Sequence, residues 1–260
     1  MSLSDDLREF AESPDRFVDV DPGSVVTRFD DGRVCIVQGP TFAAICAPKV
    51  GEGEVAALLG QVRELVPLDK RPCWWIGPSA RPTGIAEELE ALGLAEPADR
   101  VPRVNALAIA REPAGFAADV EARPVESYEE FAATAELRFD VFDVPEERRE
   151  AERRHLPAFF EESQRVGVPV WFVAMLEGSV AGSAGAIPSP RGVFLIGGAT
   201  ATWARGRGVY RALIRARWDY AVERGTPALV THAQAETSYP ILVHVGFEDV
   251  CEIRRLEDHG

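Results

Sequence analysis

Val193-Phe-Leu-Ile-Gly-Gly-Ala-Thr-Ala-Thr202 runs into Arg205-Gly-Arg-Gly-Val-Tyr210, and a helix-like segment follows to about Arg224. Strand, glycine-rich turn, helix is an arrangement that holds a phosphate. Glycine lets the backbone come close to a ligand. The free N–H groups of a helix start, with the helix dipole, favour an anion. Two nucleotide motifs fail here. The Gly-x-x-x-x-Gly-Lys-Ser/Thr loop is absent. A Gly-x-Gly-x-x-Gly fingerprint breaks at Arg211. Taken alone, Arg205–Gly208 reads equally well as an ordinary polar turn.

Composition narrows the classes. A chain of 260 residues holds one large or two small domains. Apolar content of 46% and charged content of 27% fit a soluble globular protein. Lys and Arg total 28 against 42 Asp and Glu, a formal charge of −14. That balance argues against nucleic acid and anionic membrane as partners, which need a basic surface. It permits a cationic or amine-bearing partner, or simply makes an acidic surface. No apolar run is long enough to span a bilayer. The opening MSLSDDLREF lacks a signal-peptide layout, so a cytoplasmic location is expected. Cys35, Cys46, Cys73 and Cys251 have neither zinc-site nor disulfide-framework spacing. Cys35 and Cys46 lie in strand-like runs, as small hydrophobes.

Strands are expected at 24–29, 34–37, 42–46, 73–76 and 105–110, with helices at 54–66 and 83–92, the second capped by Gly93. Residues 111–119 read as a link. It divides the chain into a smaller α+β lobe, 1–115, and a second domain, 116–260. The second half restarts with a strand at 120–125. Ser127 and Glu130 have capping-box spacing before helices at 127–140 and 145–164. A hairpin pairs 170–176 with 180–187 around Glu177-Gly178. After the opening strand and helix come a strand at 228–233, a short helix near 238–245 and a final strand pair within 247–258.

Arg-Gly-x-Gly between strand and helix resembles motif A of the GNAT superfamily of acyl-CoA-dependent N-acetyltransferases. The element order of 120–260 is similar to that family, and Tyr239-Pro-Ile-Leu-Val-His-Val-Gly-Phe247 resembles its second motif. The resemblance implies an α/β fold: a central mixed sheet flanked by helices in the C-terminal half. Trp74-Trp75-Ile76-Gly77-Pro78 before a helix resembles the first lobe of two-lobed members, a degenerate copy of the fold. Trp74 and Trp75 are then core or interface rings.

Residue by residue, the resemblance implies that Arg205, Gly206, Arg207, Gly208, Val209 and Tyr210 wrap the coenzyme A pyrophosphate, mainly through backbone N–H groups. It implies a bulge in the preceding strand, for which Gly197-Gly198 is suited. Neighbouring strands splay there. Ala199, Thr200 and Ala201 offer backbone groups to the pantetheine arm, and one N–H faces the thioester oxygen. Ser238 is a further polar contact to the coenzyme. Acetyl-CoA is the implied cosubstrate, with no metal. The acceptor is a small-molecule or peptide amine, and a homodimer is allowed.

Three positions depart from the family pattern. Tyr210 replaces the small residue that ends motif A. Thr202 stands where proline is frequent. Leu242 occupies the place of the tyrosine that protonates the leaving thiolate. Tyr239 shares that helix face and is a candidate acid, or else a packing residue beside Pro240. His232 is a candidate base, or else a core histidine. Asp140 and Phe142, between the two helices, and Glu236 are candidate acceptor contacts. The competing expectations are a non-catalytic acyl-CoA-binding or regulatory module and, beyond that, another α/β protein with a phosphate ligand.

Overall fold

The computed structural model describes residues 3–18, 20, 24–115 and 119–260. Residues 116–118 of the expected link lie outside them. The chain divides into two compact units. One contains residues 108–231 and 241–248, and the other residues 4–107, 232–240 and 249–260.

The unit built on 4–107 opens with helix α1 (Asp5–Glu12), capped by Ser4, whose hydroxyl accepts from Leu7 N at 3.3 Å. Leu7, Phe10 and Ala11, at helical spacing, form the buried face of α1. Strands β1 (Thr27–Asp30), β2 (Cys35–Gln38), β3 (Ala43–Cys46), β4 (Pro72–Ile76) and β5 (Arg103–Ile109) alternate with helices α2 (Val55–Leu65) and α3 (Ile85–Ala91). Gly93, at φ +101°, donates to Glu90 O while Leu94 N donates to Leu89 O, which ends α3 in a Schellman turn. Trp74, fully buried, packs with Ile36, Ile45, Leu58, Val62 and Leu89 in the core of this unit. Cys35 and Cys46 are buried directly opposite each other on β2 and β3.

The last strand corrects an expectation. Residues 247–258 form one strand, β11 (Glu248–Glu257), and not a pair. No glycine, proline or asparagine interrupts that run, so nothing turns it. It pairs antiparallel with β4 and gives this unit the strand order β1-β2-β3-β4-β11-β5.

The unit built on 108–231 has the order β10-β9-β8-β7-β6: β6 (Glu121–Pro124), β7 (Val170–Leu176), β8 (Ser179–Ser189), β9 (Gly192–Thr200) and β10 (Leu229–Ala233). β9 and β10 are parallel and the other pairs antiparallel, so the sheet is mixed. Glu177 (φ +53°) and Gly178 (φ +76°) make the tight β7–β8 turn. Helix α4 (Tyr128–Val141) starts at Ser127, which accepts from Glu130 N at 3.2 Å. The Glu130 carboxylate in turn accepts from Glu126 N, one residue before the cap. Helix α5 (Glu146–Val166) lays Phe159 and Phe160 against Phe131 of α4. Helix α6 (Val209–Glu223) covers the other face. A Cβ on Gly182 would meet Val209 and Leu213 of α6, whereas neighbouring Ser183 accepts a hydrogen bond from α4. Helix α7 is Ser238–Val245. Among the described residues no helix is long and apolar enough to cross a membrane.

Candidate active site

Strand β9 carries a bulge at the expected glycines. Ser183 pairs with Ala199 and Gly185 with Ile196, so Gly197 and Gly198 together face Ala184. Gly197 takes φ +57°, the left-handed conformation of the first residue of such a bulge. β10 stays with β9 only as far as Thr231↔Leu195. At that point the Thr231 hydroxyl donates to Leu195 O at 3.1 Å. Beyond it, β9 pairs with β8 alone. Ala201 N donates to Ala181 O at 2.9 Å, so the alternating backbone groups of Thr200 turn away from β8. The Thr200 hydroxyl is buried and has no hydrogen-bond partner among the described residues.

From there the chain makes a short 3-10 turn, Thr202–Ala204, and then uses two left-handed glycines, Gly206 (φ +77°) and Gly208 (φ +83°). Gly208 is the N-cap of α6, whose first internal bond is Ala212 N to Gly208 O. The N–H groups of Val209, Tyr210 and Arg211 precede that bond and are the free donors of the helix start. Arg207 differs from the expectation at its backbone. Its N–H donates to Ala204 O at 3.3 Å, and its side chain pairs with Glu177 at 2.5 Å. Arg205 is exposed.

Tyr210 points inward. Its ring lies against Gly198, and burial raises its hydroxyl pKa. Farther along α6, Arg217 is 1% exposed and donates to Leu213 O and Gly185 O. Burial pushes its pKa down to about 10.

His232, Glu236, Ser238 and Tyr239 belong to the other unit. His232 stacks on Trp75 at 5.2 Å, and its Nε2–H donates to Ala11 O at 3.0 Å. Burial pushes its pKa down to about 4, so the ring is neutral at pH 7. The Tyr239 hydroxyl donates to the Asp249 carboxylate at 2.9 Å, which raises its pKa. Ser238 Oγ accepts from Gln234 N at the start of α7, and Glu236 is exposed. Leu242 is buried. In the first unit, Asp140 is held by Arg149 at 2.6 Å, and Phe142 is 49% exposed.

Arg138 of α4 lies beside the bulge, its Cδ 3.6 Å from where a Cβ on Gly197 would stand. It stands in the apolar stripe of α4, with Phe131, Thr134, Ala135 and Phe139. A charge in a buried stripe is the signal that could have found it. Its Cζ lies 3.9 Å from the Trp171 ring centroid, and its Nη1 donates to Ser183 Oγ at 2.8 Å.

No family model matches this sequence, and no curated protein does. Solved structures do match. A GCN5-related N-acetyltransferase from Kribbella flavida is 14% identical with TM-score 0.66, over 98% of this chain and 96% of that one. A functionally unknown conserved protein from Staphylococcus epidermidis is 11% identical with TM-score 0.65, over 92% and 96%. A tandem GNAT protein from the clavulanic acid biosynthesis pathway is 15% identical with TM-score 0.60, over 97% and 87%. The fold of this chain is that of the GCN5-related N-acetyltransferases in their two-lobed form.

Proposed function

We propose that this protein binds acetyl-CoA at the 197–210 segment and transfers the acetyl group to an amine. The observation that carries the reading is the bulge at Gly197-Gly198, where β9 loses β10, followed directly by a turn whose helix-start N–H groups are free. Gly206, Gly208, Val209 and Tyr210 would hold the pyrophosphate through their backbone, with Arg205 adding a charge-assisted contact. Arg207 would contribute charge only, because its N–H is taken. The open side of β9 at Ala199–Ala201 and the unpartnered Thr200 hydroxyl suit a polar, amide-bearing arm. When bound, acetyl-CoA supplies an activated acetyl thioester.

The chain's own residues would act by placement. A backbone N–H on the free side of β9 stabilises charge that develops on the carbonyl oxygen. Holding the amine against the carbonyl carbon makes the reaction effectively unimolecular. The N–C bond forms, the C–S bond breaks, and the surplus amine proton ends on sulfur or solvent. The acid role is not assigned to Tyr239, because its hydroxyl proton is committed to Asp249.

A second reading is a non-catalytic acyl-CoA-binding module. The buried Leu242 at the acid position favours it. Calorimetric titration with acetyl-CoA, then thiol release against an amine panel, separates the two. Binding with turnover supports the transferase, and binding without thiol release supports the module. Failure to bind acetyl-CoA sinks both.

A further inference from the structure

Gly197 and Gly198 face opposite sides of the sheet. A Cβ on Gly198 would strike Tyr210, on the α6 side. A Cβ on Gly197 would fall 3.3 Å from Trp171 and 3.6 Å from Arg138 Cδ, on the α4 side. Arg138 therefore hangs over the bulge from the face opposite the phosphate turn. On the acetyl-transfer reading, the coenzyme arm reaches the bulge from the α6 side, which leaves the α4 side to the acceptor.

Many arginines of the chain are tied to carboxylates. Arg123 is paired with Glu130, Arg153 with Glu136 and Glu146, and Arg63 with the buried Asp258. Arg138 has hydroxyls and rings instead: Ser183 Oγ at 2.8 Å, Thr134 Oγ1 at 3.4 Å, and the faces of Trp171 and Phe131. Glu152 attracts it from a distance, but that carboxylate is bonded to Arg148 at 3.0 Å. Burial holds the Arg138 pKa down at about 10, still charged at pH 7. A buried cation without an anion is costly, and a guanidinium stacked on a ring is pre-set to take a carboxylate through two parallel N–H groups. Arg217 and Arg255 are likewise buried with no carboxylate in ion-pair range among the described residues, but they are only 1% and 6% exposed, whereas Arg138 keeps part of its surface open.

We propose that Arg138 anchors a carboxylate on the acceptor, so that the acceptor is an amino-acid-like amine whose nitrogen lies a few bonds from that carboxylate. The proposal rests on the acetyl-transfer reading and names the substrate class of the same site.

The test uses matched amines with acetyl-CoA and the full chain: phenylalanine against phenethylamine, lysine against cadaverine, β-alanine against ethylamine. At least one carboxylated member should be acetylated with kcat/KM roughly 100-fold above its decarboxylated partner, the range of a charged hydrogen-bonded contact. Arg138→Gln should erase that preference, mainly through KM, with acetyl-CoA affinity within about twofold of wild type. Arg138→Lys should restore part of it. A thermal melt on each variant confirms folding. Equal rates within every pair, or acetyl-CoA binding with no turnover of any pair, overturn the assignment of Arg138 and leave coenzyme binding standing. Wild-type protein that does not bind acetyl-CoA overturns the reading beneath it.

Discussion

The ring of Tyr210 fills the space that a side chain on Gly198 would need: a Cβ there would lie 2.8 Å from Tyr210 Cε2. The bulky residue at the end of the phosphate turn and the second glycine of the bulge are thus one packing unit. Gly198→Ala should cost about 1–3 kcal/mol, the range for overpacking a tight site. Adding Tyr210→Ala should recover part of that loss, because the clash disappears. Urea unfolding of the two single variants and the double variant measures the coupling. Strict additivity would show that the two residues do not share this space.

Gly208 caps α6 at φ +83°. Valine there is strained by roughly 1–3 kcal/mol and should turn the following N–H groups away from a bound phosphate. Gly208→Val should lower acetyl-CoA affinity by at least about tenfold while the far-ultraviolet dichroism stays native. Unchanged affinity by calorimetry would mean that the turn is not the phosphate cradle.

Tyr239 gives its hydroxyl proton to Asp249. A group committed in that way is a poor acid for a departing thiolate. Tyr239→Phe should therefore change kcat by less than about tenfold, below the contribution typical of a positioned acid. A drop of two orders of magnitude or more would assign the acid role to Tyr239.

His232 sets a pH window for stability. Its folded pKa is near 4, below the ordinary 6.5. Between those values the unfolded chain binds a proton that the folded chain does not, so stability falls as pH drops from 6.5 to 4. Below pH 4 this group contributes no further loss. His232→Gln keeps a donor for Ala11 O and should flatten the decline by roughly 1–3 kcal/mol. Denaturant midpoints at pH 7 and pH 4.5, compared between the two proteins, read the effect directly.

Much of the fold was legible because it is written in local steric rules. Glu177-Gly178 announces a two-residue hairpin, and the chain turns there. Gly197-Gly198 suits a bulge, and the register shifts at that point. Gly206 and Gly208 promise left-handed backbone before a helix and take it. Ser127 and Gly93 mark helix ends by the same kind of argument. Each depends on what one or two residues can do to their own φ and ψ.

Other features had no such local mark. The run 247–258 lacks turn residues, which permits a straight strand but does not name its partner. Pairing along β4, remote in sequence, accompanies a single strand. His232 could not be aimed from alternation alone; it lies on Trp75 with its Nε2 at the end of α1. Arg138 interrupts an apolar stripe in the sequence, but only the folded chain gives it Trp171 and Ser183 in place of a carboxylate.

The sequence alone therefore determined where the backbone turns, bulges and starts its helices, including the Arg205–Tyr210 turn. Those conformations are chosen by short-range sterics and neighbouring donors. Tertiary structure decided which side chains face one another across the bulge: Tyr210 on one side, Arg138 on the other. Side-chain direction and the pairing of a buried charge depend on groups far apart in the chain, brought together only when the sheet and its helices pack.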